Sequence, residues 1–350
     1  MVLRVADNSR AVITLENVNM RGSAETTVQL GNNCQVILIL KGMNTLTKEG
    51  ILVPATSSLT IQGDGSLLVQ NNRNYSVGIG ANFNDAYGTI ILDCEGTVSF
   101  RGSGDRVVCI GGGRSAGDGI RILRGTYDLN ASGINIIGIG SANGDTRVNI
   151  EKEAFVSVHG EGNEVVLIGT ISGHADVRSA GRVEISSGCE RIAGIGSLNG
   201  TADVSFEGGS LRAAVNCDSG AAVGSFSGRA SVRFRDTRVQ VHGEGNRVVG
   251  FGSMFGSCET RVESGEIHGD LLAGERMLLG NRSSRFIVTG GNIQLFNDGY
   301  QVPVGPDGES LFFLNPEGDH FEQTYMGSRE TWTYRADRNA EGYLGVYIPN

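Results

Sequence analysis

Ala193-Gly194-Ile195-Gly196-Ser197 is the clearest copy of a short apolar-glycine signature that returns along the chain at nearly constant spacing. With the second glycine of each copy as anchor, the series runs Gly80, Gly111, Gly140, Gly169, Gly196, Gly224, Gly252 and Gly280, in steps of 31, 29, 29, 27, 28, 28 and 28 residues. A period in this range signifies stacked structural units, not one closed globule. Columns counted from the anchors show what is stacked. One residue before the anchor stand Ile79, Ile110, Ile139, Ile168, Ile195, Val223, Phe251 and Leu279; three before stand Val77, Val108, Ile137, Val166, Ala193, Ala221, Val249 and Met277. All are apolar, and strand alternation predicts that both columns line one interior.

Outward from this signature the rest of the repeat follows. Ser141, Thr170, Ser197, Ser225 and Ser253 come directly after anchors, and Gly144, Gly173, Gly200, Gly228 and Gly256 stand four after, where a corner needing positive φ is predicted. A second strand comes next, as in Ala202-Asp203-Val204-Ser205-Phe206, with Val204, Phe206, Val232 and Phe234 predicted inward. A third carries Leu211, Ala213 and Val215, matched by Val239 and Val241 one unit on. Three strands and three corners in about 28 residues predict an all-β chain, a right-handed parallel β-helix of about ten coils and on the order of 50 Å long. The absence of amphipathic helices between strands argues against βαβ units.

The expected organisation is a β-helix over 1–295, with atypical capping coils over 1–70 and regular coils over 71–295. Gly31 and Gly50 read as degenerate anchors of the opening coils. Over 296–350 the anchor is lost and 10 of the 22 aromatic residues gather, which predicts an aromatic-rich C-terminal β cap or small module.

Composition narrows the function. The formal net charge is -9 and no Lys/Arg run occurs, which excludes nucleic acid as an expected partner. No apolar run of 18 residues exists, so no membrane insertion is expected. Met1-Val2-Leu3-Arg4-Val5-Ala6-Asp7 lacks the regions of a signal peptide, which fits a cytoplasmic protein or a piece of a secreted one. The 6 cysteines form no Cys-x-x-Cys pair, so their spacing offers neither a zinc site nor a thioredoxin-like motif; no metal or other cofactor is expected. Cys189 and Cys217 both stand seven residues before an anchor, which stacks them on neighbouring coils within bridging range. Buried free thiols are the preferred reading, because Cys is a good small core residue.

Gly88-Thr89-Ile90-Ile91 and Glu95-Gly96-Thr97-Val98, with the recurring Gly-Ile-Gly, resemble the glycine-rich right-handed parallel β-helix repeats of bacterial surface proteins. These are the carbohydrate-binding-domain-containing type, of pectate-lyase-like architecture. The tail from Arg335 to Pro349 is similar to the Thr-Asp-x-x-Gly-x-Leu-x-x-x-Leu-Pro ending that often follows such repeats, with Ala336 where the threonine would stand. The resemblance implies a secreted or cell-surface protein whose partner is a glycan or a host or bacterial surface polysaccharide. It carries no catalytic residues over.

For chemistry, Asp176 and Asp203 each stand seven residues after an anchor and beside inward-facing valines, which places them outward on adjacent coils about 5 Å apart. A carboxyl pair at that separation suits a retaining glycosidase and makes these the candidate catalytic residues. Arg147 shares their column, and Arg178 and Arg233 lie two residues along. Cations so placed favour ionised carboxylates over a proton donor, and a charge ladder is the preferred reading. His159-Gly160-Glu161-Gly162-Asn163 and His242-Gly243-Glu244-Gly245-Asn246 repeat one pentapeptide three coils apart, about 14 Å, too far to share one metal ion. A recurring Gly-x-Gly turn explains them best, with Glu161 and Glu244 as candidate contacts, each to one unit of an extended glycan. Sugar binding also asks for exposed aromatic platforms. Tyr75, Phe83, Tyr87 and Phe255 are the candidates among the coils, and Trp332 and Tyr334 in the tail, where cap packing explains them equally well. The preferred function is a non-enzymatic extracellular β-helix for glycan or surface recognition and adhesion. The alternatives are a β-helical glycoside hydrolase or polysaccharide lyase, and a structural spacer; exposed coil ends are compatible with a homo-oligomer.

Overall fold

Residues one coil apart face each other across parallel strands, so that Ile79, Ile110, Ile139, Ile168, Ile195, Val223 and Phe251 form one continuous stack. The computed structural model describes residues 2–21, 26–48, 50–277, 284–288 and 290–297, and the strands Tyr300–Val302, Ser310–Leu314, His320–Tyr325, Ser328–Asn339 and Gly342–Pro349. Side chains are described as far as residue 272 and again over 290–296. The described chain is all-β, a parallel β-helix of the right-handed type with about ten coils. Parallel pairing runs from Leu3–Val5 through Asn292–Asn297, and the strands after that pair antiparallel.

Each coil has three faces. The first carries the anchor, the second is the short strand typified by Ala175–Ser179 and Ala202–Glu207, and the third begins at Arg182, Ser210 or Thr237. The third strand runs into the first of the next coil without a break, as in Arg182–Asn199 and Ser210–Ser225. Inward positions stack like on like: Val204 on Val232, and Phe206 on Phe234 with ring centroids 5.8 Å apart. Val183, Ile185, Leu211, Ala213, Val215, Val239 and Val241 line the third wall, all buried.

The apolar column three residues before the anchor departs from expectation. Val108 pairs with Ile137 and Ile110 with Ile139, but Cys109 and Gly138 between them drop out of the ladder, which resets the alternation. The column one before the anchor joins the main core as predicted. Val108, Ile137, Val166, Ala193, Ala221 and Val249 instead form a second apolar cluster with Ala142, Ile171, Leu198, Phe226 and Met254, the residues two after the anchors. The first sheet is therefore buried on both sides.

The anchor glycine is fixed by two constraints. Its φ lies between 128° and 138° from Gly80 to Gly252, and a Cβ at Gly196 would meet the Gly224 carbonyl oxygen at 1.8 Å. At the following corner only Gly144 and Gly173 have positive φ. Gly200, Gly228 and Gly256 are needed for close stacking, since a Cβ would meet the preceding corner's carbonyl at 2.1, 1.8 and 2.0 Å. The hydroxyl column ties these corners together: Ser197 donates to the Gly173 carbonyl at 3.1 Å, Ser225 to Gly200 at 2.8 Å and Ser253 to Gly228 at 2.7 Å.

In the opening coils the residues in register with Gly80 are Leu52, Gln29 and Arg4, so Gly31 and Gly50 are not anchors. These coils are shorter, and their first strand carries no glycine at the anchor position. Two aromatic expectations also change: Tyr87 is fully buried with its hydroxyl 2.9 Å from Thr146 Oγ1, and Phe83 is buried in the second cluster. Tyr75 and Phe255 are exposed.

Candidate functional site

The outward side of the third face is a polar strip running the length of the coils. One of its columns reads Thr47, Gln70, Arg101, Asn130, His159, Ser186, Ala214, His242, Asp270, each residue the register partner of the next. Eight coil steps at 4.8 Å make this column about 38 Å long. Shallow grooves open along the strip. The main one, about 730 Å³, is lined by Arg182, Glu184, Arg212, Arg238, Gln240 and Glu266 among others. A neighbouring one of about 350 Å³ continues it past His268 and Gln294, and two more of about 330 and 260 Å³ lie around Arg101 towards the N-terminal coils.

The charges lining the main groove are balanced and mostly paired. Arg182 bonds Glu184 at 2.6 Å and also lies over the Phe155 ring, 4.5 Å from its centroid, while Arg238 bonds Glu266 at 2.8 Å. Arg212 stands exposed between them, with no ion pair among the described residues. This is a surface of fixed donors and acceptors with one uncommitted guanidinium.

The two pentapeptides lie on this strip. Glu161 and Glu244 are both exposed and three coils apart, and each holds the histidine of its own copy: His159 Nε2 to Glu161 Oε1 is 3.2 Å and His242 Nε2 to Glu244 Oε1 is 3.0 Å. The copies differ one coil on. His159 Nδ1 lies 2.8 Å from Ser186 Oγ, whereas His242 Nδ1 lies 3.5 Å from Asp270 Oδ2. Ser186 is not visible in the pentapeptide itself; adding one repeat length to His159 would have found it.

Asp176 and Asp203 are register partners on the second face, away from these grooves. Asp176 accepts from Arg147 at 3.2 Å and Arg178 at 3.1 Å, and Asp203 lies 3.5 Å from His174. The structure thus brings the two acids side by side, Asp176 held by two arginines and Asp203 facing His174, while Arg233 pairs with Glu263 at 3.3 Å. The side chains of Trp332 and Tyr334 lie outside the described residues, although both fall in the strand Ser328–Asn339.

All 6 cysteines are free. Cys189 and Cys217 are register partners; their mutual hydrogen bond lowers the Cys189 thiol below its ordinary range and raises that of Cys217. Among the described residues no group of three His, Cys, Asp or Glu side chains converges as a metal site, and no helix is long and apolar enough to cross a membrane. Compared with protein families, curated proteins and solved structures, the chain matches none.

Proposed function

We propose that the protein binds a linear polysaccharide laid along the third face, parallel to the helix axis. The observation that carries this is the run of polar grooves along one face, centred on the groove of Arg182, Arg212, Arg238 and Gln240. Planar side chains held by ion pairs present hydrogen-bonding groups at little entropic cost to a ligand rich in hydroxyls. The balanced lining favours a neutral or weakly acidic chain, with Arg212 as the group that meets an acidic or strongly accepting substituent. Phe155 beneath Arg182, and Phe296, 5.3 Å from His268, supply apolar surface at the two ends. The likeness of the repeats to bacterial surface proteins supports an extracellular setting and a role in recognition or adhesion.

The test is affinity electrophoresis or calorimetry on a panel of neutral and acidic polysaccharides, with reducing-sugar release followed in parallel. Binding that weakens about tenfold in Arg212→Ala, the cost of one charged hydrogen bond, and is unchanged in Asp176→Asn/Asp203→Asn is the expected result. Sugar release that disappears in the double aspartate variant would make the protein a glycosidase of the second face instead. Binding indifferent to Arg212 would move the site elsewhere.

A further inference from the structure

The hydroxyl, imidazole and carboxylate of Ser186, His159 and Glu161 are linked through one ring, with Ser186 Oγ 2.8 Å from one ring nitrogen of His159 and Glu161 Oε1 3.2 Å from the other. From this geometry we infer that Ser186, His159 and Glu161 form a nucleophile, base and positioning carboxylate that hydrolyse a carboxylic ester. The inference goes beyond polysaccharide binding and does not depend on it.

Four observations support it. First, the contacts are those of an activated nucleophile: a base within hydrogen-bond reach of a hydroxyl, and a third group orienting the base. Glu161 can only accept, so the tautomer this network assigns carries its proton on Nε2 and leaves the Nδ1 lone pair to take the Ser186 proton. Secondly, among the described residues no arginine is ion-paired with Glu161, in contrast to Asp176, which is held by Arg147 and Arg178. Glu161 is therefore available to the imidazolium that forms when His159 takes a proton.

Thirdly, there is room for an acyl group. The register partner of Ser186 on the next coil is Ala214, and the next outward position along its own strand is Gly188, where an added Cβ would meet only Glu161 Cγ, at 4.0 Å. Small residues thus flank the hydroxyl on two sides. Fourthly, two donors flank it. Arg212 and Asn216 lie two residues either side of Ala214, exposed and without a side-chain partner among the described residues. As diagonal neighbours of Ser186, at about 7–8 Å between Cβ atoms, both are long enough to reach an oxygen above its hydroxyl. They would supply to the developing oxyanion the hydrogen bonds that backbone amides, committed to the parallel ladder, do not. The other pentapeptide copy serves as an internal contrast: its histidine faces Asp270, with no hydroxyl to activate.

The reaction is balanced with water as the only co-reactant. Ser186 Oγ bonds to the acyl carbon as its proton passes to His159, and the bond from that carbon to the alkoxy oxygen breaks as His159 returns the proton to the leaving alcohol. Water then adds to the acyl carbon, gives a proton to His159, and the Ser186 ester bond breaks to release the acid and restore the hydroxyl. Arg212 lines the main groove, so an ester borne on a chain bound there would present its carbonyl to Ser186.

The experiment treats the full chain with a fluorophosphonate, maps the labelled residue by mass spectrometry, and follows hydrolysis of p-nitrophenyl acetate. Label on Ser186 is expected, with hydrolysis lowered roughly 10²-fold in Ser186→Ala and in His159→Ala. Ser157→Ala, a serine on the same face, should match the parent. Glu161→Gln should lower kcat without raising KM, with recovery in Glu161→Asp, a pattern that loss of structure would not give. Alanine already occupies the Ser186 column at Ala214, so Ser186→Ala is expected to fold, and its melting curve checks this. No label on Ser186, or ester hydrolysis equal in parent and Ser186→Ala, would overturn the assignment whether or not polysaccharide binds.

Discussion

Burial pushes the Cys94 and Cys258 thiols up from an ordinary 9.0 to about 11, because their surroundings offer little to solvate a thiolate. Cys109, fully buried in the main core, is displaced further in the same direction for the same reason. These residues serve as small apolar core units whose protonated form is the one that packs. The linkage follows in sign: a thiol whose folded-state value is raised contributes its full stability below pH 9 and loses it as pH rises through about 11. The loss is on the order of 2 kcal/mol per thiol. Denaturant midpoints should therefore hold steady up to pH 9 and fall above it, and the fall should be shallower in Cys94→Ala/Cys258→Ala, an outcome that a pH series on the two proteins reads directly. Equal slopes in both would show that these thiols do not control the alkaline limit.

The first strand of each coil is an element with two interiors, and it separates what was legible in the sequence from what was not. The period, the parallel stacking and the inward columns of Val204, Phe206, Leu211 and Val239 were all readable, because a repeat places like residues over like and regular alternation names the face. The sequence places the column of Val166 and Ala193 in the main interior, whereas it lines the second cluster, because the ladder irregularity between it and the anchor is a backbone feature with no residue signature beyond glycines that also serve elsewhere. The same limit hid part of the candidate site. His159 and Glu161 were visible as a motif, but Ser186 belongs to a coil in which the motif is absent, and only register joins them. A direct consequence of the second interior concerns Leu198, fully buried though it stands two residues past the anchor, where a surface turn would be expected. Leu198→Ala should cost about 2–5 kcal/mol, the penalty of a core leucine. A turn residue at the surface would cost about 0.5 kcal/mol or less. Equilibrium denaturation distinguishes these values, and the smaller one would mean that the outer cluster contributes little to holding the first sheet.

On the scale of the whole molecule, stacking turns a single polar position into a line. Each coil repeats the outward column of the third face at about 4.8 Å, so a ligand that meets one groove is aligned with the next. The strip from Thr47 to Asp270 gives room for several contacts with one linear chain, each weak because the grooves are open and their polar groups already partly paired. Affinity in such a site comes from number: once one segment is bound, the next binds at a high effective concentration. Binding should therefore tighten steeply with oligosaccharide length up to an extended chain of about 38 Å, the length of the column, and level off beyond it. Raised salt should weaken binding of an acidic chain, through Arg212, and leave that of a neutral chain nearly unchanged. Calorimetry across a length series at two ionic strengths measures both effects. A short fragment that binds as tightly as the polymer would show one localised pocket, and the repetition along the rod would then serve only to build the scaffold that holds it.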